Sequence, residues 1–152
     1  FTDIVGSTEQ AAELGDASWT GVLSRHDALA TSTVERHGGR IVNRTGDGML
    51  ALFDGPSRGI ECARELRRLI GALGIHLRTG LHTGEIERRG DDVGGIGVHI
   101  SARVESAAEP GEILVTRTVR DLTAGSGVEF DDRGSHALKG VPEDWQLFAV
   151  VD

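Results

Sequence analysis

The chain has a single cysteine, Cys62, so it forms no internal disulfide and is expected to sit in a reducing compartment, the cytoplasm. No apolar run approaches the roughly 20 residues of a membrane span, and no signal-peptide pattern opens the sequence. Direct membrane insertion of this domain is therefore not expected. Basic residues are in the minority, 16 against 24 acidic, for a net charge of −8. An acidic chain without a basic stripe is a poor ligand for nucleic acid. None of the six histidines has the paired helical spacing of a zinc site. Ser7 and Ser101 have no adjacent base, which argues against acyl transfer. Repeats, linkers and low-complexity tracts are also missing. What remains is one domain, residues 1–152, 38% hydrophobic and 26% charged. Phe1 already lies in a strand-like run, so the domain reads as excised from a longer chain.

Periodicity supplies the elements. Phe1 to Val5 reads as a strand end, with Ser7 or Thr8 as cap of a short helix to Leu14. Asp16 is expected to cap a longer helix to about Arg36, with Trp19, Val22, Leu23, His26, Leu29 and Ala30 on its buried face. Arg40 to Asn43 and Met49 to Phe53 read as strands around the glycine-flanked loop at Asp47. A helix from Pro56 to about Leu73, a long strand from His76 to Glu87 and a polar loop from Arg88 to Gly95 follow. Next come a helix from Gly97 to Ala108, a strand from Ile113 to Thr116 and a short helix near Val119 to Leu122. Short strands at Val128 to Phe130, His136 to Lys139 and Gln146 to Val151 complete the chain. The order predicts an α/β (α+β) fold: a ferredoxin-like βαββαβ core with an antiparallel-rich sheet flanked by helices, extended by C-terminal strands.

Asp3 lies among the apolar residues Phe1, Ile4 and Val5, and Asp47 lies at a tight hairpin tip. Both positions hold a carboxylate in place. Two carboxylates about 4 Å apart repel by roughly 4 kcal/mol at an effective dielectric near 20, which a cation or a shared proton must relieve. Hard oxygens suit Mg²⁺ or Mn²⁺. Gly46 and Gly48 leave room for a phosphate to approach. Taken singly, Asp47-Gly48 is equally a turn dipeptide and Asp3 equally a cap. Arg103, near Glu105 and Glu109, reads by itself as half of a surface ion pair, and Lys139 as a solvated strand end.

The run Phe1-Thr2-Asp3-Ile4-Val5-Gly6-Ser7-Thr8 resembles the opening signature of class III nucleotidyl cyclase catalytic domains, of the type found in actinobacteria. Four more stretches are similar to that family in order: Thr45 to Gly48, Leu77 to Gly84, His99 to Ser106, and Arg133-Gly134 with Leu138 to Gly140. The resemblance implies an adenylate cyclase. It would convert ATP to 3′,5′-cyclic AMP and pyrophosphate, with two Mg²⁺ or Mn²⁺ ions per active site, at sites shared across a homodimer. It gives Asp3 and Asp47, helped by the Ile4 carbonyl, to the metals. Arg78 and Lys139 go to the triphosphate, Asp92 to the purine edge, and Arg103 to charge on the reacting phosphate. Asp92, Arg103 and Lys139 act from the opposite protomer in the family. Those cations and ions answer the repulsion an acidic chain exerts on a triphosphate.

Two positions depart from the pattern. Asn43 stands where adenylyl cyclases carry a purine-selecting lysine and guanylyl cyclases a glutamate. Its amide both donates and accepts, so GTP remains an alternative substrate. Asp92 favours adenine by accepting from the 6-amino group. His99 stands where the family usually has a ribose-orienting asparagine, and it brings a different reach and a pH-dependent charge. A catalytically weak or inactive nucleotide-binding module, or a guanylyl or dual-specificity enzyme, are the alternatives these changes raise. The Gly-Gly-Asp/Glu-Glu-Phe signature of diguanylate cyclases is not found.

Overall fold

The computed structural model describes residues 1–151. The first half contains β1 (Thr2–Ile4), α1 (Ser7–Leu14), α2 (Asp16–Arg36), β2 (Arg40–Thr45), β3 (Gly48–Leu52), α3 (Pro56–Gly71) and β4 (Leu77–Leu81). The second half contains β5 (Glu87–Arg89), β6 (Asp92–Gly94), α4 (Ile96–Ser106), β7 (Ile113–Thr116), α5 (Arg117–Leu122), β8 (Glu129–Ala137) and β9 (Asp144–Val151). Seven strands form one sheet in the order β2-β3-β1-β4-β7-β9-β8. The subset β2-β3-β1-β4, with α1–α2 and α3 as its connections, is the expected ferredoxin-like βαββαβ unit. All neighbours are antiparallel except β4 and β7, and α4 lies in the long connection that parallel pairing requires.

The strand period of two decides which helix meets which face. Ile113, Val115, Phe148 and Val150 point to one side, onto Ile60 and Ala63 of α3 and Val119 of α5. Leu114, Leu147 and Ala149 point to the other, onto Ile100 and Val104 of α4 and Ala108 just beyond it. On the α2–α3 side, Ile4, Met49 and Leu77 pack with Ala30, Val34, Cys62, Leu66 and Ile70. Alternation therefore sends Asp3, Arg78 and Gly80 to the α4 face. This places a pair of charged residues and a glycine under a helix, in a sheet whose other face is apolar.

Gly80 explains how closely α4 approaches. A Cβ there would lie 2.2 Å from the Glu105 backbone nitrogen and 2.6 Å from its Cα. Backbone atoms cannot swing aside, so only glycine allows helix and strand to meet here.

Several local expectations change. Gly6, with φ 65°, precedes α1, and neither Ser7 nor Thr8 caps it through a side chain. Gly15, not Asp16, occupies the N-cap position of α2. The strand expected from His76 to Glu87 stops at Leu81. There the His82 ring bonds the Thr116 hydroxyl at 2.8 Å and stacks edge-on to Trp145. The Glu85 carbonyl accepts from the Gly97 N–H, tying this segment to the start of α4 instead of the ladder. The expected Arg88–Gly95 loop is largely the separate hairpin β5–β6. The two short strands expected at 128–130 and 136–139 are one strand, β8, with a bulge between Asp132 and Ser135. Gly134, at φ 80°, and its N–H bond to Asp132 Oδ1 at 2.7 Å make that bulge. Among the described residues no helix is long and apolar enough to cross a membrane.

Gly80→Ala is expected to cost about 3 kcal/mol or more, because overpacking against backbone relaxes poorly. Urea unfolding should show a lowered midpoint with an unchanged m value.

Candidate active site

Asp3 and Arg78 are direct cross-strand partners on β1 and β4. The guanidinium donates from Nε to Asp3 Oδ1 and from Nη2 to Asp3 Oδ2, both at 3.0 Å. This two-point geometry matches the fork of arginine to a carboxylate. Both side chains are about one-third exposed, 35% for Arg78 and 27% for Asp3. The bond to Asp3 is the main reason the Arg78 pKa is raised, and the charges of Glu105 and Asp47 add to it. Asp47 therefore acts on the same guanidinium as Asp3, from the β2–β3 turn.

Sequence fixes that turn. Gly46 takes φ 59°, a left-handed conformation suited to glycine. A Cβ on Gly48 would lie 3.0 Å from the Thr2 carbonyl, so this glycine lets the hairpin lie against β1. Arg44 ties the hairpin to α2 through Asp27 at 3.4 Å and through the Thr31 hydroxyl. Asp47 is half-buried and makes no hydrogen bond or ion pair among the described residues. Asn43 is exposed, opposite Leu50, at an irregularity in the β2–β3 register.

Glu105 is the residue that sequence reasoning missed. It was grouped with Arg103 as a surface pair, but its residue is only 8% exposed and faces β4. Its Oε1 lies 3.8 Å from Arg78 Nε and has no hydrogen-bond partner. Burial, then the neighbouring Asp3 carboxyl, pushes its pKa up to about 7. The signal was present: Gly97, Ile100, Ser101, Val104, Glu105 and Ala108 follow one helical stripe, and Glu105 falls inside it.

His99 and Arg103, one turn apart, lie roughly opposite the Ser101–Glu105 row around α4. Arg103 is half-buried, and its Nε is enclosed without a partner. His99 Nε2 lies where a Cβ on Gly140 would come within 2.9 Å. The Leu138–Val141 turn, closed by Val141 N–H to Leu138 O at 3.0 Å, thus brings exposed Lys139 beside the His99 row. Lys139 lies beyond β8 and not on a strand; it is the chain's only lysine. Asp92 opens β6, and its Oδ1 accepts from the Val93 N–H at 2.9 Å. The β6 strand lies against β2, so Asp92 and Asn43 are on adjoining elements within one chain.

The expected residues thus fall into three places. Asp3 and Arg78 pair on the sheet face that α4 covers, with Asp47 in the turn between β2 and β3; His99 and Arg103 lie on another side of α4, with Lys139 in the turn that reaches His99; Asn43 and Asp92 are on the adjoining strands β2 and β6. The first place suits a cation. Arg78, a positive group, occupies both Asp3 oxygens in the field of Asp47. Among the described residues no three His, Cys, Asp or Glu side chains form a metal cluster. Two carboxylates and a backbone carbonyl would leave coordination positions to water and phosphate, as Mg²⁺ prefers.

Asp47→Ala is expected to change folding stability by less than about 0.5 kcal/mol, because it removes no bonded partner. Thermal unfolding without metal would check it.

Comparison with known proteins identifies the family. The family model for the adenylate and guanylate cyclase catalytic domain matches residues 1–151. A putative adenylate cyclase 3 of Rhizobium meliloti (strain 1021) is 29% identical over 91% of this chain, which spans 25% of that protein's length. The solved adenylyl cyclase CyaB of P. aeruginosa superposes with a TM-score of 0.81 at 26% identity, covering 99% of this chain and 91% of that one. The adenylate/guanylate cyclase/hydrolase of Silicibacter pomeroyi gives 0.83 at 28% identity, covering 99% and 93%. The five ordered motifs, the sheet order and these matches together place the chain in the class III adenylate and guanylate cyclase catalytic domain family.

Proposed function

We propose that the domain converts ATP to 3′,5′-cyclic AMP and pyrophosphate at sites assembled from two copies of the chain. The observation that carries this reading is the two-point Asp3–Arg78 pair on the sheet face under α4, with His99 and Arg103 on a different side of that helix. Within one copy, the Asp3–Arg78 pair and the His99–Arg103 row face different sides of α4. A site that uses both sets is completed most simply by a second copy.

In this reading Asp3, Asp47 and the Ile4 carbonyl hold two Mg²⁺ or Mn²⁺ ions. When bound, the ions would lower the pKa of the ribose 3′-hydroxyl and offset triphosphate charge. The 3′-oxygen attacks the α-phosphorus, and the bond to pyrophosphate breaks in line with the attack. Arg78 and Lys139 hold the triphosphate. Arg103 meets charge that grows at the reacting phosphate; removing such a donor typically costs about 3 kcal/mol, roughly a hundredfold or more in rate. Arg103 Nε is enclosed and has no hydrogen-bond partner among the described residues. Asn43 and Asp92 read the purine, with Asp92 accepting from the adenine amino group. His99 hydrogen-bonds the ribose. An acidic chain repels free ATP, which makes the cations and metals necessary for binding as well as for chemistry.

Incubation with Mn²⁺ and ATP, or with Mn²⁺ and GTP, tests the reaction and the base preference. Cyclic AMP and pyrophosphate, formed faster than cyclic GMP, is the expected result. A GTP preference would overturn the base assignment. Tight nucleotide binding with no product would instead identify a non-catalytic module, the outcome that Asn43 and His99 would explain.

Shared sites have their own test. Asp3→Ala and Arg103→Ala are each expected to lose activity by a hundredfold or more, and mixing them should restore one working site per heterodimer. Absence of recovery in a mixture known by native mass spectrometry to contain heterodimers would contradict site sharing.

A further inference from the structure

Arg78 occupies the carboxylate that metal binding needs. Both Asp3 oxygens accept from its guanidinium at 3.0 Å. A cation bound by Asp3 competes with that guanidinium and repels it, and a displaced arginine close to a divalent ion needs a new acceptor. The nearest recorded one is Glu105. Its Oε1 is 3.8 Å from Arg78 Nε, is enclosed, and has no hydrogen bond. A buried, unsatisfied carboxyl oxygen is costly and gains most from a charged donor. The close contact at Gly80 fixes the Glu105 backbone against β4, so Glu105 cannot follow solvent outward.

We infer that Glu105 is a positioning residue that takes the Arg78 guanidinium from Asp3 when a divalent cation binds, freeing Asp3 for the ion and holding Arg78 toward the triphosphate. The inference rests on the metal assignment made above. A small shift suffices: Nε already lies between the two carboxyl groups, so Arg78 exchanges one partner for another without leaving the site. Glu105 touches neither substrate nor ion in this account; it acts through Arg78.

Mn²⁺ binding to the nucleotide-free protein, followed by electron paramagnetic resonance at fixed pH and ionic strength, tests this apart from activity. Glu105→Gln is expected to weaken Mn²⁺ binding about tenfold, because Arg78 then stays on Asp3. Arg78→Gln is expected to tighten it. Adding Glu105→Gln to Arg78→Gln should then change affinity by less than about twofold, since the double-mutant cycle removes the route. A tenfold loss that persists without Arg78 would overturn the inference, because Glu105 would then be acting on the ion or the fold directly. Unchanged binding in Glu105→Gln would overturn it too, while leaving the metal assignment standing. If Glu105→Gln fails to fold, Arg78→Gln alone decides: no tightening refutes the exchange. Absence of Mn²⁺ binding in both the parent and Arg78→Gln would remove the metal assignment, and the inference with it.

Discussion

A carboxylate and a guanidinium facing each other across β1 and β4 organise this domain. Asp3 and Arg78 sit on the face of the sheet that α4 covers, where a single charge would be expensive. Paired at two points they tolerate partial burial, and their pairing sets what else must be nearby. A helix must come close enough to shelter them, which requires Gly80. A turn must bring Asp47 within their field, which requires left-handed backbone at Gly46 and a bare Cα at Gly48. The pair is thus both a structural fastening and a reservoir of carboxylate oxygen.

That arrangement links folding to function through electrostatic competition. The chain carries a net charge of −8, yet Arg78 sits beside carboxylates on the sheet. Without added ions, Arg78 neutralises Asp3 from inside the protein. In the proposed exchange, ion binding would release the guanidinium to face a polyanionic substrate, so that the same charge would serve two states. The α4 helix serves two places as well. Its Ser101–Glu105 row faces β4, while its His99–Arg103 row lies beside the Leu138–Val141 turn. The helix therefore joins the carboxylate centre to the elements proposed to complete a second site.

Much of the architecture was legible in the chain. The periodic apolar stripes of α2 and α3, the Gly-flanked turn at Asp47 and the order of elements led to the ferredoxin-like unit and its C-terminal extension. Legibility failed where tertiary bonding overrode local pattern. The strand after Leu81 ended early because His82 bonds Thr116 and Glu85 receives the Gly97 amide. The β8 strand was divided in the reading because Arg133-Gly134 looks like a break, whereas the structure absorbs it as a bulge. At the site, Asp3, Arg78 and Asp47 were named from sequence, and Asp3 and Arg78 pair directly. Glu105 was hidden because a glutamate beside an arginine on a helix ordinarily means a solvated pair. Its place in the buried stripe outweighed that expectation. The proximity of β6, which Asp92 opens, to β2 within one chain depends on where a separate hairpin comes to rest, which no local pattern encodes.

The central claim is that Asp3 and Asp47 together hold divalent ions against a nucleoside triphosphate. A crystal structure with Mn²⁺ and a non-reactive ATP analogue addresses it most directly. The account predicts oxygens of both carboxylates at about 2.1 Å from bound ions, with Arg78 no longer forked onto Asp3. Nucleotide bound with Arg78 still on both Asp3 oxygens, and no ion beside Asp47, would contradict it.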